Sequence, residues 1–246
     1  MQWKIPFLLT IFCLFISCTN IRQSARLEPP IKSFVKIKNT IEIIKCSEKL
    51  PQKMTECPIG VYSSTGSGMA VSIVRGEPIV ITAGHVCTPS TADFITQHKN
   101  YVKVQDHTGI WHQAHIIKSS LDNSIGTPDM CALWVPSLEV KGVFISRQPP
   151  RVGQSVYYVG APAGVYHPPT APIMTGIFSG PIDASSSMIT AAAAGGASGS
   201  VILNFENKML GVLFAVHPQI HHITIITSYR STIIFLNEIR KSFKKN

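Results

Sequence analysis

The sequence predicts an all-β protein, a barrel or a sandwich, and three observations predict it. Short runs rich in β-branched residues recur from about residue 60 to residue 227. Glycine and proline, 17 of each, fall between those runs as turn formers. Helical periodicity appears only at the C-terminal end. A chain of 246 residues with 45% hydrophobic residues can bury a sizeable core.

Taken in order, residues 66–74 read as a strand, Arg75-Gly76-Glu77-Pro78 as a turn and residues 79–82 as the returning strand. Residues 102–104, 114–117 and 131–135 read as further strands, and 136–150 as a crossover between two halves. The second half begins with the segment 152–164 and continues with strand signals at 174–180, 187–192, 200–205, 208–216 and 223–227. Phe235, Ile239 and Phe243 then recur every four residues, which predicts a helix over about 229–245. Ser228 or Ser231 would cap it.

The segment before residue 60 reads differently. Lys4 followed by the apolar run 5–17 matches an export signal, since a bilayer span needs roughly 20 apolar residues. Phe15-Ile16-Ser17-Cys18 is similar to a bacterial lipoprotein cleavage box, which makes Cys18 a candidate lipidation site. Residues 18–59 are expected to be a tether or a pro-segment, with the folded domain running from 60 to 246. The chain is therefore expected in the periplasm or cell envelope, lipid-anchored there, or secreted. Its net charge of +9 is scattered apart from the C-terminal end, and no nucleic-acid motif accompanies it. Cys46, Cys57, Cys87 and Cys131 would meet an oxidising compartment. Four cysteines allow three connectivities, and their spacing suggests no zinc site. His107, His112 and His115 fall in or beside a polar strand or hairpin, His217, His221 and His222 cluster near a loop after a strand, and His98 and His167 read as surface loop residues.

Three short motifs carry chemistry. Thr82-Ala83-Gly84-His85 follows the first hairpin, Asp129-Met130-Cys131-Ala132-Leu133 opens a strand, and Gly195-Gly196-Ala197-Ser198-Gly199-Ser200 is a tight glycine-rich turn. A serine hydroxyl is inert until a base takes its proton, and an aspartate can orient that base. In the order His85, Asp129, Ser198, with Gly160-Ala161-Pro162-Ala163-Gly164 and Thr175-Gly176-Ile177-Phe178-Ser179-Gly180 between them, the chain resembles the chymotrypsin-like (trypsin-fold) serine proteases, chiefly their short bacterial members. The resemblance covers roughly residues 60–240. Asp122 and Asp106 are alternatives to Asp129, which is favoured because it directly precedes a buried-looking strand.

The resemblance implies two six-stranded antiparallel β-barrels, about 60–140 and 150–228, with a C-terminal helix and the site between them. It implies Ser198 as nucleophile, His85 as base, Asp129 as its orienter, and the amides of Gly196 and Ser198 as oxyanion donors. A His85–Asp129 contact would bring Cys87 beside Cys131, leaving Cys46 for Cys57. Ala192 would form the base of the specificity pocket, and Phe214, Ala215 and Val216 the strand that pairs with substrate. None of them is charged, so a small or medium apolar residue is expected on the acyl side of the cut bond. Ser200 and Val201 depart from the family's usual glycine and proline without removing a catalytic atom. The expected partner is a protein or peptide substrate, with no cofactor, metal or nucleic acid, and a monomer is expected. The alternatives are an idle surface lipoprotein using the fold to bind, and an esterase on the same triad.

Overall fold

The computed structural model describes residues 27–52, 54–73, 78–89, 91–122 and 127–244. Residues 1–17, read above as an export signal, Cys18 and residues 75–77 of the expected turn lie outside them.

The first barrel is closed by six antiparallel strands: β1 (Phe34–Cys46), β2 (Gly60–Val71), β3 (Ile79–Thr82), β4 (Ile95–Gln105), β5 (Trp111–Ser120) and β6 (Met130–Trp134). Their order around the barrel is β1-β2-β3-β6-β5-β4. A single helical turn, α1 (Gly84–Cys87), follows β3. After the crossover, β7 (Phe144–Ile145) leads into β8 (Ser155–Val159), β9 (Ile173–Pro181), β10 (Ser186–Ile189), β11 (Val201–Asn204), β12 (Lys208–Val216) and β13 (Thr224–Thr227). Strands β8 to β13 make the second six-stranded barrel, closed by the pairing of β11 with β12, and β7 adds to β12 in parallel. The chain ends in α2 (Tyr229–Lys244).

One boundary differs from expectation. The first barrel begins at Phe34, inside the segment read as a tether, because β1 pairs with both β2 and β4. Its inward residues Val35, Ile37 and Asn39 are buried while Lys36 and Lys38 point outward. That alternation is a half-buried strand, disguised by its charged outer row. Both expected disulfides form, Cys46 with Cys57 and Cys87 with Cys131. Such bonds persist in an oxidising, exported environment. Among the described residues, no helix is long and apolar enough to cross a membrane.

Strands β8, β11 and β12 are buried on both faces, which explains their unbroken apolar runs. Val156, Tyr158, Ile202, Leu210 and Leu213 fill the second barrel. Tyr157, Val159, Val201, Leu203, Met209 and Val212 point the other way, into a core continuous with the first barrel. The two barrels thus share one apolar core. Helix α2 caps that core with Phe235, Leu236 and Ile239, while Phe243 stays partly exposed. Ser228 Oγ accepts the Ser231 N–H at 3.2 Å, so Ser228 is the N-cap.

Candidate active site

The His85 side chain is positioned by the end of β3. Thr82 pairs with Cys131 of β6, so the residues just beyond β3 lie against the residue just before β6, Asp129. The carboxylate grips His85 at two points. Oδ2 accepts the Nδ1 hydrogen at 2.8 Å, and Oδ1 accepts the His85 backbone N–H at 3.0 Å. With its proton on Nδ1, the ring keeps Nε2 as a base. Asp129 is largely enclosed, its side chain 12% exposed, whereas the His85 side chain is 40% exposed. The approach is close enough to dictate Gly84: a Cβ there would stand 1.9 Å from the Ser120 carbonyl oxygen and 2.9 Å from Asp129 Oδ1. Asp122, the nearer alternative, is exposed on the surface.

Helix α1 is anchored from below. Asn39 donates to the carbonyls of Val86 and Cys87 at 3.0 and 2.7 Å, and Asn100 donates to Cys87 at 2.7 Å. These satisfy carbonyls that so short a helix leaves without intrahelical partners. The Cys87–Cys131 disulfide ties the same turn to β6. His85 is therefore fixed by a carboxylate, two amides and a covalent bond.

Ser198 sits on the turn before β11, at the seam. Its carbonyl accepts the Ser67 N–H of β2 at 2.8 Å. The next residue, Gly199, has φ +89°, and a Cβ there would fall 2.0 Å from Thr82 Oγ1 and 2.1 Å from the Ser67 carbonyl oxygen. Only glycine permits this approach, and the approach presses the serine turn against the strand that delivers His85. Gly199 N–H donates to the Leu213 carbonyl at 2.7 Å, so the turn is held by β12 on its other side.

The turn leading to the serine is organised by Ser67, to which the sequence reading gave no role of its own. Ser67 Oγ donates to the Gly196 carbonyl at 2.8 Å and accepts the Ala161 N–H at 2.9 Å. Ala163 N–H donates to the Gly195 carbonyl at 2.6 Å. The Gly160–Gly164 motif is thus a support of the Ser198 turn. With its carbonyls engaged, the turn leaves the N–H groups of Gly196 and Ser198 without a hydrogen-bond acceptor among the described residues. The position of Ser67 between two glycines in a strand was the available signal.

The structure therefore joins His85 to Asp129 directly and brings the Ser198 turn onto the adjoining strands. The Ser198 hydroxyl itself makes no hydrogen bond to His85 among the described residues. Such bonds are often long in free enzymes and tighten in the Michaelis complex.

The expected specificity segment is pinned along its length. Tyr158 Oη donates to the Ala192 carbonyl at 2.5 Å, Thr224 Oγ1 to Ala191 at 2.7 Å, and the Ala193 N–H to His221 at 3.0 Å. Burial pushes the Tyr158 phenol up, so it remains a donor across the working range. Ala215 and Val216 pair with β13 on one side, and no strand covers their other edge among the described residues. Such an edge can accept an extended peptide. Among the described residues, no cluster of His, Cys, Asp or Glu could hold a metal ion.

Comparison with known proteins agrees with this architecture. Residues 66–212 match the family model of the trypsin-like peptidase domain. The protease Rv3671c of M. tuberculosis in its active form aligns with a TM-score of 0.56 at 18% identity, covering 81% of this chain and 77% of that one. Its inactive form gives 0.57 at 18%, covering 85% and 90%. A serine endoprotease of Yersinia pestis gives 0.61 at 15%, covering 86% of this chain and 64% of that one. Identities this low speak for the fold. No curated protein sequence matches.

Proposed function

Because the chain belongs to the trypsin-like peptidase family, we propose that it is an exported serine endopeptidase that cleaves through an acyl-enzyme on Ser198. One observation carries the assignment: a His85–Asp129 pair stands at the strand ends that hold the Ser198 turn, and among the described residues its Nε2 and the amides of Gly196 and Ser198 have no hydrogen-bond partner.

In this reading Ser198 Oγ attacks the scissile carbonyl while His85 Nε2 takes its proton. Asp129 holds the ring and stabilises its positive charge without becoming protonated. The N–H groups of Gly196 and Ser198 receive the oxyanion, a contribution commonly worth about 3–4 kcal/mol per donor. Collapse of the tetrahedral intermediate breaks the C–N bond, and His85 returns the proton to the leaving amine. Water, deprotonated by the same ring, then hydrolyses the ester. The acyl half of the substrate pairs with the open edge at Phe214, Ala215 and Val216. The alanines around Ala192 favour a small or medium apolar residue before the cut bond, with loose selectivity, since one methylene is worth about 1–3 kcal/mol. Lipidation of Cys18 would hold the domain at a membrane surface.

A fluorophosphonate probe tests the assignment. Wild-type protein should be labelled and should degrade casein, and Ser198→Ala should do neither. Labelling with ester but no peptide turnover would favour an esterase. A folded wild-type protein that resists the probe would leave a binding module.

A further inference from the structure

The face of β2 that carries Ser67 continues away from the nucleophile turn. Side chains two residues apart on a strand share a face, so Ser67, Thr65, Ser63 and Val61 form one row. Their β1 partners are Lys36, Lys38, Thr40 and Glu42. The β4 partners of those are Gln105, Lys103, Tyr101 and Lys99. Contacts agree with the shared face. Thr40 Oγ1 lies 3.1 Å from Ser63 Oγ, and Lys36 Nζ donates to the Gly164 carbonyl at 2.8 Å, beside the support of the oxyanion turn. At about 3.3 Å per residue, Thr65 and Lys38 lie roughly 7 Å beyond Ser67, and Ser63 and Tyr101 roughly 13 Å beyond it.

Charge on this face is unbalanced. Four lysines stand against one acid, Glu42, which lies 4.0 Å from Lys99. Among the described residues, Lys36, Lys38 and Lys103 have no ion-pair partner. Lys38 and Lys103 stand directly opposite each other across β1 and β4, and both are exposed. Like charges directly opposite in a sheet are destabilising. No ion pair among the described residues offsets this, whereas an anion over the face would use both.

The site gives that anion a source. Ser198 is held between β12, through Gly199 and Leu213, and β2, through Ser67. A peptide whose acyl half pairs along β12 leaves the cleft over β2. Extended chain advances about 3.3 Å per residue, so roughly the second to fourth residues past the cut bond reach Thr65, Lys36, Lys38 and Lys103. We propose that this lysine face binds the leaving side of the substrate and selects acidic side chains there. The inference rests on the reading of Ser198 as nucleophile, and it adds a second determinant to an apolar acyl-side pocket.

The test uses three labelled peptides with one apolar acyl half and Glu-Glu, Gln-Gln or Lys-Lys on the leaving side. Binding to Ser198→Ala protein is read by anisotropy at low salt, and cleavage by wild type is read in parallel. The Glu-Glu peptide should bind about tenfold more tightly than Gln-Gln, the sum of two exposed ion pairs of about 0.7 kcal/mol each. The double variant Lys38→Glu/Lys103→Glu should reverse the order, with unchanged melting showing that the fold survives. Equal binding of the three peptides overturns the inference, as does a preference that survives the double variant. If wild type cleaves all three equally, the peptidase reading stands and this one falls. If Glu-Glu binds selectively and is never cleaved, the acidic-peptide face stands and the nucleophile reading falls. Lysine-dependent binding to vesicles of anionic lipid, without discrimination among peptides, would assign the face to a membrane and overturn the proposal.

Discussion

The first barrel contains two aspartate–histidine pairs with nearly the same bond and opposite settings. His85 meets Asp129 at 2.8 Å, and His112 meets Asp106 at 2.9 Å. The second pair even extends to a hydroxyl, since His112 Nδ1 lies 2.8 Å from Ser137 Oγ. By connectivity alone, Asp106–His112–Ser137 is the more complete string. Its ring is closed in, however, with the His112 side chain 10% exposed against 40% for His85. Its carboxylate is also spent: Asp106 Oδ1 accepts the Thr108 N–H, the Thr108 hydroxyl and the Ile110 N–H, which locks the turn between β4 and β5. Among the described residues, Asp129 instead spends both oxygens on one residue, His85. A carboxylate, an imidazole and a hydroxyl in a row are therefore not what distinguishes a reactive centre. An accessible ring nitrogen and unengaged amides beside the serine are.

The largest expected effects lie on the open pair. Ser198→Ala or His85→Ala should lower turnover of an apolar peptide by about 10⁶-fold. Asp129→Asn should lower it by about 10⁴-fold, because the ring would adopt the wrong tautomer. His112→Gln should leave kcat within a factor of two. A comparable loss in the His112 variant, measured on correctly folded protein, would erase the distinction between the pairs.

These two regions also show what sequence can reveal. The Thr82–His85 and Gly195–Ser200 motifs were legible because close backbone approach demands glycine at 84 and 199 whatever surrounds them. The disulfides followed once His85 was set against Asp129. Strand β1 was missed because its outer row is Lys36, Lys38, Thr40 and Glu42, and because its inward Asn39 is polar to serve α1. Asp106 and His112 flank a tight hairpin, so their contact was within reach of local reasoning. Nothing in their spacing, however, tells a turn lock from a catalytic pair. Ser67 acts through contacts with residues 161 and 196, so its flanking glycines mark the position but not the distant partners.

The closed pair should act on stability. Burial alone would raise the Asp106 carboxyl, but hydrogen bonds from Thr108, His112 and the amides of Thr108 and Ile110 outweigh it and hold the group at about 2, against 3.8 ordinarily. A depressed carboxyl stabilises the fold above its unfolded value, and the contribution is lost as pH falls through the folded one. Asp106→Asn should therefore cost on the order of 2 kcal/mol at pH 7, lowering Tm by roughly 4–8 °C. The gap between variant and wild type should close between about pH 4 and pH 2. Melts across that range check the sign, and a gap that stays constant would mean that Asp106 acts by packing rather than by charge. Peptide turnover at pH 7 and 25 °C should not change.

The smallest effect is expected at Ser137, and it is the sharpest test of the comparison. Ser137 is exposed, and its bond to His112 joins the one ring nitrogen that Asp106 does not occupy. An exposed hydrogen bond of this kind contributes about 0.5–1 kcal/mol, so Ser137→Ala should move Tm by no more than about 4 °C. Fluorophosphonate labelling of the Ser137→Ala protein should equal that of wild type. In the Ser198→Ala background, mass spectrometry should find no adduct at Ser137. An adduct there would show that an enclosed aspartate–histidine pair can activate a neighbouring hydroxyl. The accessibility of His85 and the free amides at 196 and 198 would then no longer explain why chemistry is assigned to one pair and architecture to the other.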